Sequence, residues 1–164
     1  MCIRDRQKPE LTSILLDGEP APYQLLWEDG DRFRVAKIGD PDSTLPYGTH
    51  VYELRYTIPG VLDPGSTGEV RRFAGSVGEP NATSVFFWNV IAPSWNNYIR
   101  KAHVRATLPG DVTGAQCSVG FGLGRPCPDL AVSGDTVEFT TGGLEPRTPA
   151  VSYTHLTLPT TPYV

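Results

Sequence analysis

The sequence predicts an all-β fold of sandwich type, and three observations predict it. Gly and Pro number 17 and 16 in 164 residues, a density that interrupts helices throughout the chain. Apolar and aromatic residues recur with period two in several short stretches, the spacing of half-buried strands. No stretch carries the 3.6-residue periodicity of an amphipathic helix over three turns. The 39% hydrophobic and 20% charged fractions are those of a folded chain, and the length suffices for one domain with a core.

The first predicted element is a hairpin. Residues 23–27 lead through the turn signal Asp29-Gly30 into residues 32–38, where Phe33, Val35 and Lys37 alternate with Arg34, Ala36 and Ile38. Residues 49–58 form the clearest strand, with His50, Tyr52, Leu54, Tyr56 and Ile58 alternating with Val51, Glu53, Arg55 and Thr57. That pattern predicts a central strand with Tyr52, Leu54 and Tyr56 toward the core and Glu53 and Arg55 toward solvent. Pro59-Gly60 and Asp63-Pro64-Gly65 then break the chain, and a Gly/Ser-rich loop runs to Gly68.

Residues 70–73 and 84–90 are the next apolar runs, the second holding Val85, Phe86, Phe87 and Trp88 in succession. Such density marks a strand covered on both faces, or one at a sheet edge beneath a loop. In residues 100–108, Ala102, Val104, Ala106 and Leu108 are predicted inward, with Lys101, His103, Arg105 and Thr107 outward. Leu108-Pro109-Gly110 ends that strand. Residues 116–120, 130–132 and 136–140 bring the total to about eight short strands at the spacing of a sandwich.

Both ends differ from the rest. Residues 1–6, MCIRDR, and 151–164, VSYTHLTLPTTPYV, resemble peptides that arise when sequencing-adapter DNA is translated at the ends of metagenomic fragments, and the second holds no Asp, Glu, Lys or Arg. Non-native segments are set apart before a fold is read. Residues 1–6 are therefore expected to be a non-native leader and 151–164 a non-native tail. Residues 7–150 are then the domain, an internal window of a longer gene. The tail is expected to be dispensable for stability, although VSYTHLTL alternates well enough to borrow a free sheet edge.

Charge excludes one class of partner. A net charge of −4 leaves no basic surplus for a phosphate backbone, so no nucleic acid is expected. No run of ~18 apolar residues is present to span a bilayer.

Four stretches carry a family resemblance: DRFRVAKIGD at 31–40, GTHVYELRY at 48–56, FWNV at 87–90 with Trp95, and Ala102-His103-Val104 through Leu108-Pro109. Across residues 29–149 the pattern resembles the extracytoplasmic N-terminal domain of predicted bacterial membrane proteins, domain of unknown function 2207. The resemblance implies an immunoglobulin-like β-sandwich outside the cytoplasm, behind a signal peptide and ahead of membrane helices. The window lacks the signal, the opening strands and the membrane spans, so the sandwich is expected to be incomplete at both ends. Ala92-Pro93-Ser94 stands before Trp95 where a glycine-bearing turn is commoner in the family. No catalytic residue comes with the resemblance.

The residues themselves offer few chemical constellations. Cys117 and Cys127 flank a Gly-rich run; zinc would need more ligands, and the nearest histidine, His103, lies on a strand face. A disulfide there would stabilise the fold by roughly 2.7 kcal/mol on the chain-entropy estimate and would fit an oxidising compartment. Gly120 to Gly124 spells G-x-G-x-G, which lacks the dinucleotide spacing, and Gln116-Cys117-Ser118-Val119-Gly120 misses the nucleophile elbow at its first glycine. Asp40-Pro41-Asp42 and Glu28-Asp29-Gly30-Asp31 read as solvated turns rather than cation sites. His50 is expected to be a satisfied, semi-buried residue and His103 a solvated one.

Trp88 and Trp95, with Asn96 and Tyr98, make the candidate ligand surface, since indoles beside amides stack on sugar rings; Trp88 is also a natural core residue. The expected function is a non-catalytic structural or interaction domain at the extracytoplasmic face of a membrane-anchored bacterial protein. Its partner would be another protein or the cell wall, with no cofactor and no metal. The alternative is a cell-wall carbohydrate or glycan binding module using those aromatics. A hydrolase combining His50 with carboxylates is the third.

Overall fold

The computed structural model describes residues 8–28, 30, 33–65, 76–78 and 82–158. All regular elements among them are strands, paired antiparallel. Where length alone suggests one domain, the contacts divide the chain into two compact units, Met1–Gly60 and Val61–Val164.

The first unit holds β1 (Glu10–Leu16), β2 (Glu19–Pro20), β3 (Tyr23–Glu28), β4 (Phe33–Ile38) and β5 (Tyr52–Thr57). β3 and β4 form the expected hairpin, with Leu25 opposite Ala36 and Leu26 opposite Val35. A second hairpin, β1–β2, turns on Asp17-Gly18, whose φ values of 52° and 91° put both residues in the left-handed region. Asp-Gly tolerates that geometry, which matches the twist of the flanking strands.

The strand predicted at 49–58 exists as β5, but its face assignment is corrected. β5 has β1 as its partner in the order β2-β1-β5, and all six of its residues are exposed, Leu54 at 42%. Period two reports a pleated strand, whereas burial of one side requires a second layer over it. Tyr52, Leu54 and Tyr56 therefore do not point into a core. Ile14 of β1, opposite Leu54, is the buried residue of the pair.

The second unit is the larger. It contains β6 (Leu62–Pro64), β7 (Ser76–Gly78), β8 (Ser84–Ile91), β9 (Ile99–Thr107) and β10 (Asp111–Val119). β11 (Arg125–Pro126), β12 (Ala131–Ser133), β13 (Thr136–Leu144) and β14 (Ala150–Thr157) follow. One sheet runs β11-β10-β14-β8-β6 with β7 also on β10, and the other runs β12-β13-β9. Ala115, Cys117, Val119 and Ala150 of the first sheet meet Val137, Phe139 and Leu144 of the second in one buried cluster, a sandwich-like core. β9 carries the predicted alternation, with Ala102, Val104 and Ala106 turned inward and Lys101, His103 and Arg105 exposed. β13 outruns its prediction by passing through Gly142, where a Cβ would strike the Arg100 carbonyl of β9. The strand expected at 70–73 lies outside the described residues, as does the leader.

Residues 151–157, set apart in sequence, lie in β14, between β10 and β8. Register places Ser152 and Thr154 on the face of Cys117 and Ala115, where the two buried hydroxyls bond each other at 3.1 Å. Tyr153 and His155 share the opposite face with Phe87 and Val85, and Tyr153 meets both Phe87 and His155 edge-on. Both faces are buried, as a central strand of a covered sheet requires. Whatever the origin of the segment, its place is interior, against the expectation that it is dispensable. A chain ending at Pro149 should lose cooperative unfolding of the second unit, a cost above about 2 kcal/mol in urea. A urea midpoint equal to that of the full chain would refute this.

Candidate functional site

Strand register gathers one set of loops. Val119, Ala150 and Ile91 stand side by side across β10, β14 and β8, and Leu144 stands opposite Ile99 in the facing sheet. The loops 92–98, 120–124 and 145–149 therefore leave the same end of the second unit.

Three of the four predicted ligand residues lie in the first of these loops. Trp95 and Tyr98 are each 53% exposed, and Asn96 is exposed between them. The Trp95 amide donates to the Ala92 carbonyl at 3.1 Å, closing a turn. Arg147, at φ 65°, donates its amide to the Trp95 carbonyl at 2.7 Å and its Nε to Asn96 Oδ1 at 3.1 Å. Trp88 is elsewhere: it lies within β8, half-buried and stacked on Phe86 at 6.4 Å. Sequence reasoning missed Arg147, because a contact 51 positions away has no local signal.

The second loop is the cystine loop. Cys117 and Cys127 are brought to disulfide distance, with Cα atoms 5.4 Å apart, and both are buried. Gly120, Gly122 and Gly124 all take positive φ, and a Cβ at Gly124 would strike Ser118 Oγ and the Val119 carbonyl. Ser118 Oγ donates to the Leu123 carbonyl at 2.8 Å, and the Gly120 amide donates to the Pro149 carbonyl at 2.9 Å. These bonds hold Phe121 and Leu123 out in solvent at 73% and 59% exposure. Ser118, 2% exposed and bonded to that carbonyl, has no nucleophilic geometry. Replacing both Cys117 and Cys127 by Ser should cost about 2.7 kcal/mol in urea unfolding. Thiol titration of the denatured but unreduced chain should leave Cys117 and Cys127 unreactive, and two free thiols there would contradict the bridge.

His50 sits apart, in the first unit. Its Nδ1 lies 2.7 Å from Asp17 Oδ2 and its Nε2 lies 2.9 Å from the Pro46 carbonyl. Asp17 Oδ1 also accepts the Val51 amide at 2.8 Å, and the Asp17 amide donates to the Val51 carbonyl at 2.8 Å. Both imidazole nitrogens face acceptors, so the imidazolium satisfies the site and no lone pair is left to act as a general base. The Asp17 hydrogen bond, then the Pro46 carbonyl, raise the His50 pKa, while the His50 bond and the Val51 amide lower that of Asp17. The clasp is therefore complete between the two. Its stabilisation fades as pH rises through the raised His50 value, and as pH falls through the lowered Asp17 value. An NMR titration should put the His50 midpoint above that of a free imidazole peptide, and Asp17→Asn should bring it down. An unshifted His50 midpoint in the unmodified chain would refute the clasp.

Asp42 donates its amide to Asp40 Oδ1 at 2.9 Å, the local bond expected of an Asx turn. Asp29 and Asp31 lie outside the described residues. Among the described residues, no group of three or more His, Cys, Asp or Glu could hold a metal ion, and no helix is long and apolar enough to cross a membrane.

Comparison with known protein families returns a match. Residues 4–154 fit the family described as the N-terminal domain of a predicted membrane protein, DUF2207. No curated protein and no solved structure matches the chain. The family match covers both units and enters β14, so the chain belongs to the DUF2207 family as an N-terminal domain of a predicted membrane protein.

Proposed function

We propose that the chain is a non-catalytic, extracytoplasmic structural or interaction domain of a membrane-anchored bacterial protein. The buried pairing of Cys117 with Cys127 carries this reading, because such a bridge persists in an oxidising compartment and a membrane protein can present a domain there. Two features support a non-catalytic role. The His50 nitrogens are both committed to acceptors, and Ser118 is tied to its own loop. The immunoglobulin-like form of the sandwich belongs to the same proposal.

A second reading, a glycan binding module, is favoured by the exposed indole of Trp95 beside Asn96 and Tyr98, since aromatic faces flanked by amides suit sugar rings. In cells producing the parent membrane protein, thiols trapped by acid quenching should show Cys117 and Cys127 blocked until reductant is added. External protease should also cut the domain in intact spheroplasts. Free thiols in a protease-protected domain would overturn the extracytoplasmic assignment.

A further inference from the structure

We propose that the loop end of the second unit docks on an anionic phospholipid bilayer. This rests on the interaction-domain reading and names its partner. Among the described residues of that unit, the large apolar side chains standing exposed are Trp95, Tyr98, Phe121 and Leu123, and all four lie in or beside the loops at one end. A random scatter of surface apolar residues would not segregate in this way.

Among the described residues of the unit, charge is segregated along the same axis. Arg125 and Arg147 are exposed at the apolar end, with Glu145 as the acidic side chain of its loops. The opposite end carries Asp63, Asp111 and Asp135, placed there by the pairing of Asp63 with Val85, of Asp111 with Thr157, and by the Leu108 amide bond to the Asp135 carbonyl. An anionic surface attracts the arginine end and repels the aspartate end, so the field itself selects which end approaches.

The side-chain types fit the layers of a bilayer surface. Phe and Leu lose least by leaving water for acyl chains, Trp and Tyr favour the headgroup level, and Arg pairs with phosphate. Phe121 and Leu123 offer no side-chain hydrogen bond to a sugar, which favours lipid over glycan at this end. The cystine loop is also held ready: the bridge, the Ser118 bond to the Leu123 carbonyl and three positive-φ glycines fix it before any partner arrives. Few inserted side chains give only weak, reversible adsorption, and a second signal strengthens it. The arginines supply that signal, and membership of a membrane protein keeps the domain at high effective concentration near the bilayer.

The test is cosedimentation of the full chain with vesicles of phosphatidylethanolamine and phosphatidylglycerol, beside vesicles of phosphatidylcholine alone. Binding is expected to the phosphatidylglycerol vesicles and to weaken as salt is raised. Phe121→Ser with Leu123→Ser should weaken it roughly tenfold or more. Both positions are exposed, and an unchanged urea midpoint shows that the variant folds. Arg125→Gln, which leaves the loop untouched, should reduce binding and flatten its salt dependence. Absence of binding to phosphatidylglycerol vesicles would overturn the proposal, as would full binding by the double variant. Capture on purified peptidoglycan that depends on Trp95, without vesicle binding, would overturn lipid docking while leaving the interaction-domain reading intact. Free thiols in the protease-protected parent domain would instead defeat that underlying reading.

Discussion

The second unit depends on the ladder that seats β14 between β10 and β8. It joins strands that are otherwise far apart in sequence and sets the register in which Val119, Ala150 and Ile91 end together. A slip of one residue would exchange the two faces of β14. Ser152 and Thr154, which satisfy each other beside Cys117 and Ala115, would change places with Tyr153 and His155. The hydroxyl pair would then face the side that holds Phe87 and Val85, and the aromatic pair would be driven into the intersheet cluster. Both faces are buried, so neither offers water as compensation.

The same register explains why one end of the unit carries exposed aromatic and apolar side chains. A sandwich strand ends where its partners end, and the chain must then cross or reverse without ladder bonds. Those loops are free of the packing rule that fills the core, and their backbone groups are satisfied locally instead: the Trp95 amide by Ala92, the Gly120 amide by Pro149 and the Thr148 amide by Glu145. Rigid strands with self-satisfied loops can hold apolar side chains in water without collapsing onto them. Glycine is required at Gly124 because its φ of 67° and the nearness of Ser118 leave no room for a Cβ. The G-x-G-x-G run is thus explained by backbone geometry, with no phosphate involved.

Legibility followed the range of the interaction. The β3–β4 hairpin was readable because its turn signal and both strands lie within residues 23–38, and β9 because its alternation faces a real second layer. β1 was not, since ELTSILL has no clean period two, although Asp17-Gly18 announces the turn that follows it. β5 showed a strand correctly and its burial wrongly, because alternation is local and the covering layer is not. The candidate surface was partly legible: Trp95, Asn96 and Tyr98 sit together, being neighbours in sequence, while Trp88 went to a strand and Arg147 joined from another loop. β14 was set apart on composition, and a chargeless segment is also what a strand buried on both faces demands.

Two histidines show how environment rather than residue type fixes the response to pH. His155 is buried in β14 beside Tyr153, and loss of water lowers its pKa, so the folded state holds it neutral. The unfolded chain binds that proton more readily, and the second unit therefore loses stability as pH falls from the ordinary imidazole range through the lowered value. His50 has the opposite sign, because two acceptors favour its cation and the first unit loses the clasp as pH rises. One imidazole is a liability in acid and the other in base. The two groups thus respond to pH with opposite sign, each within its own unit.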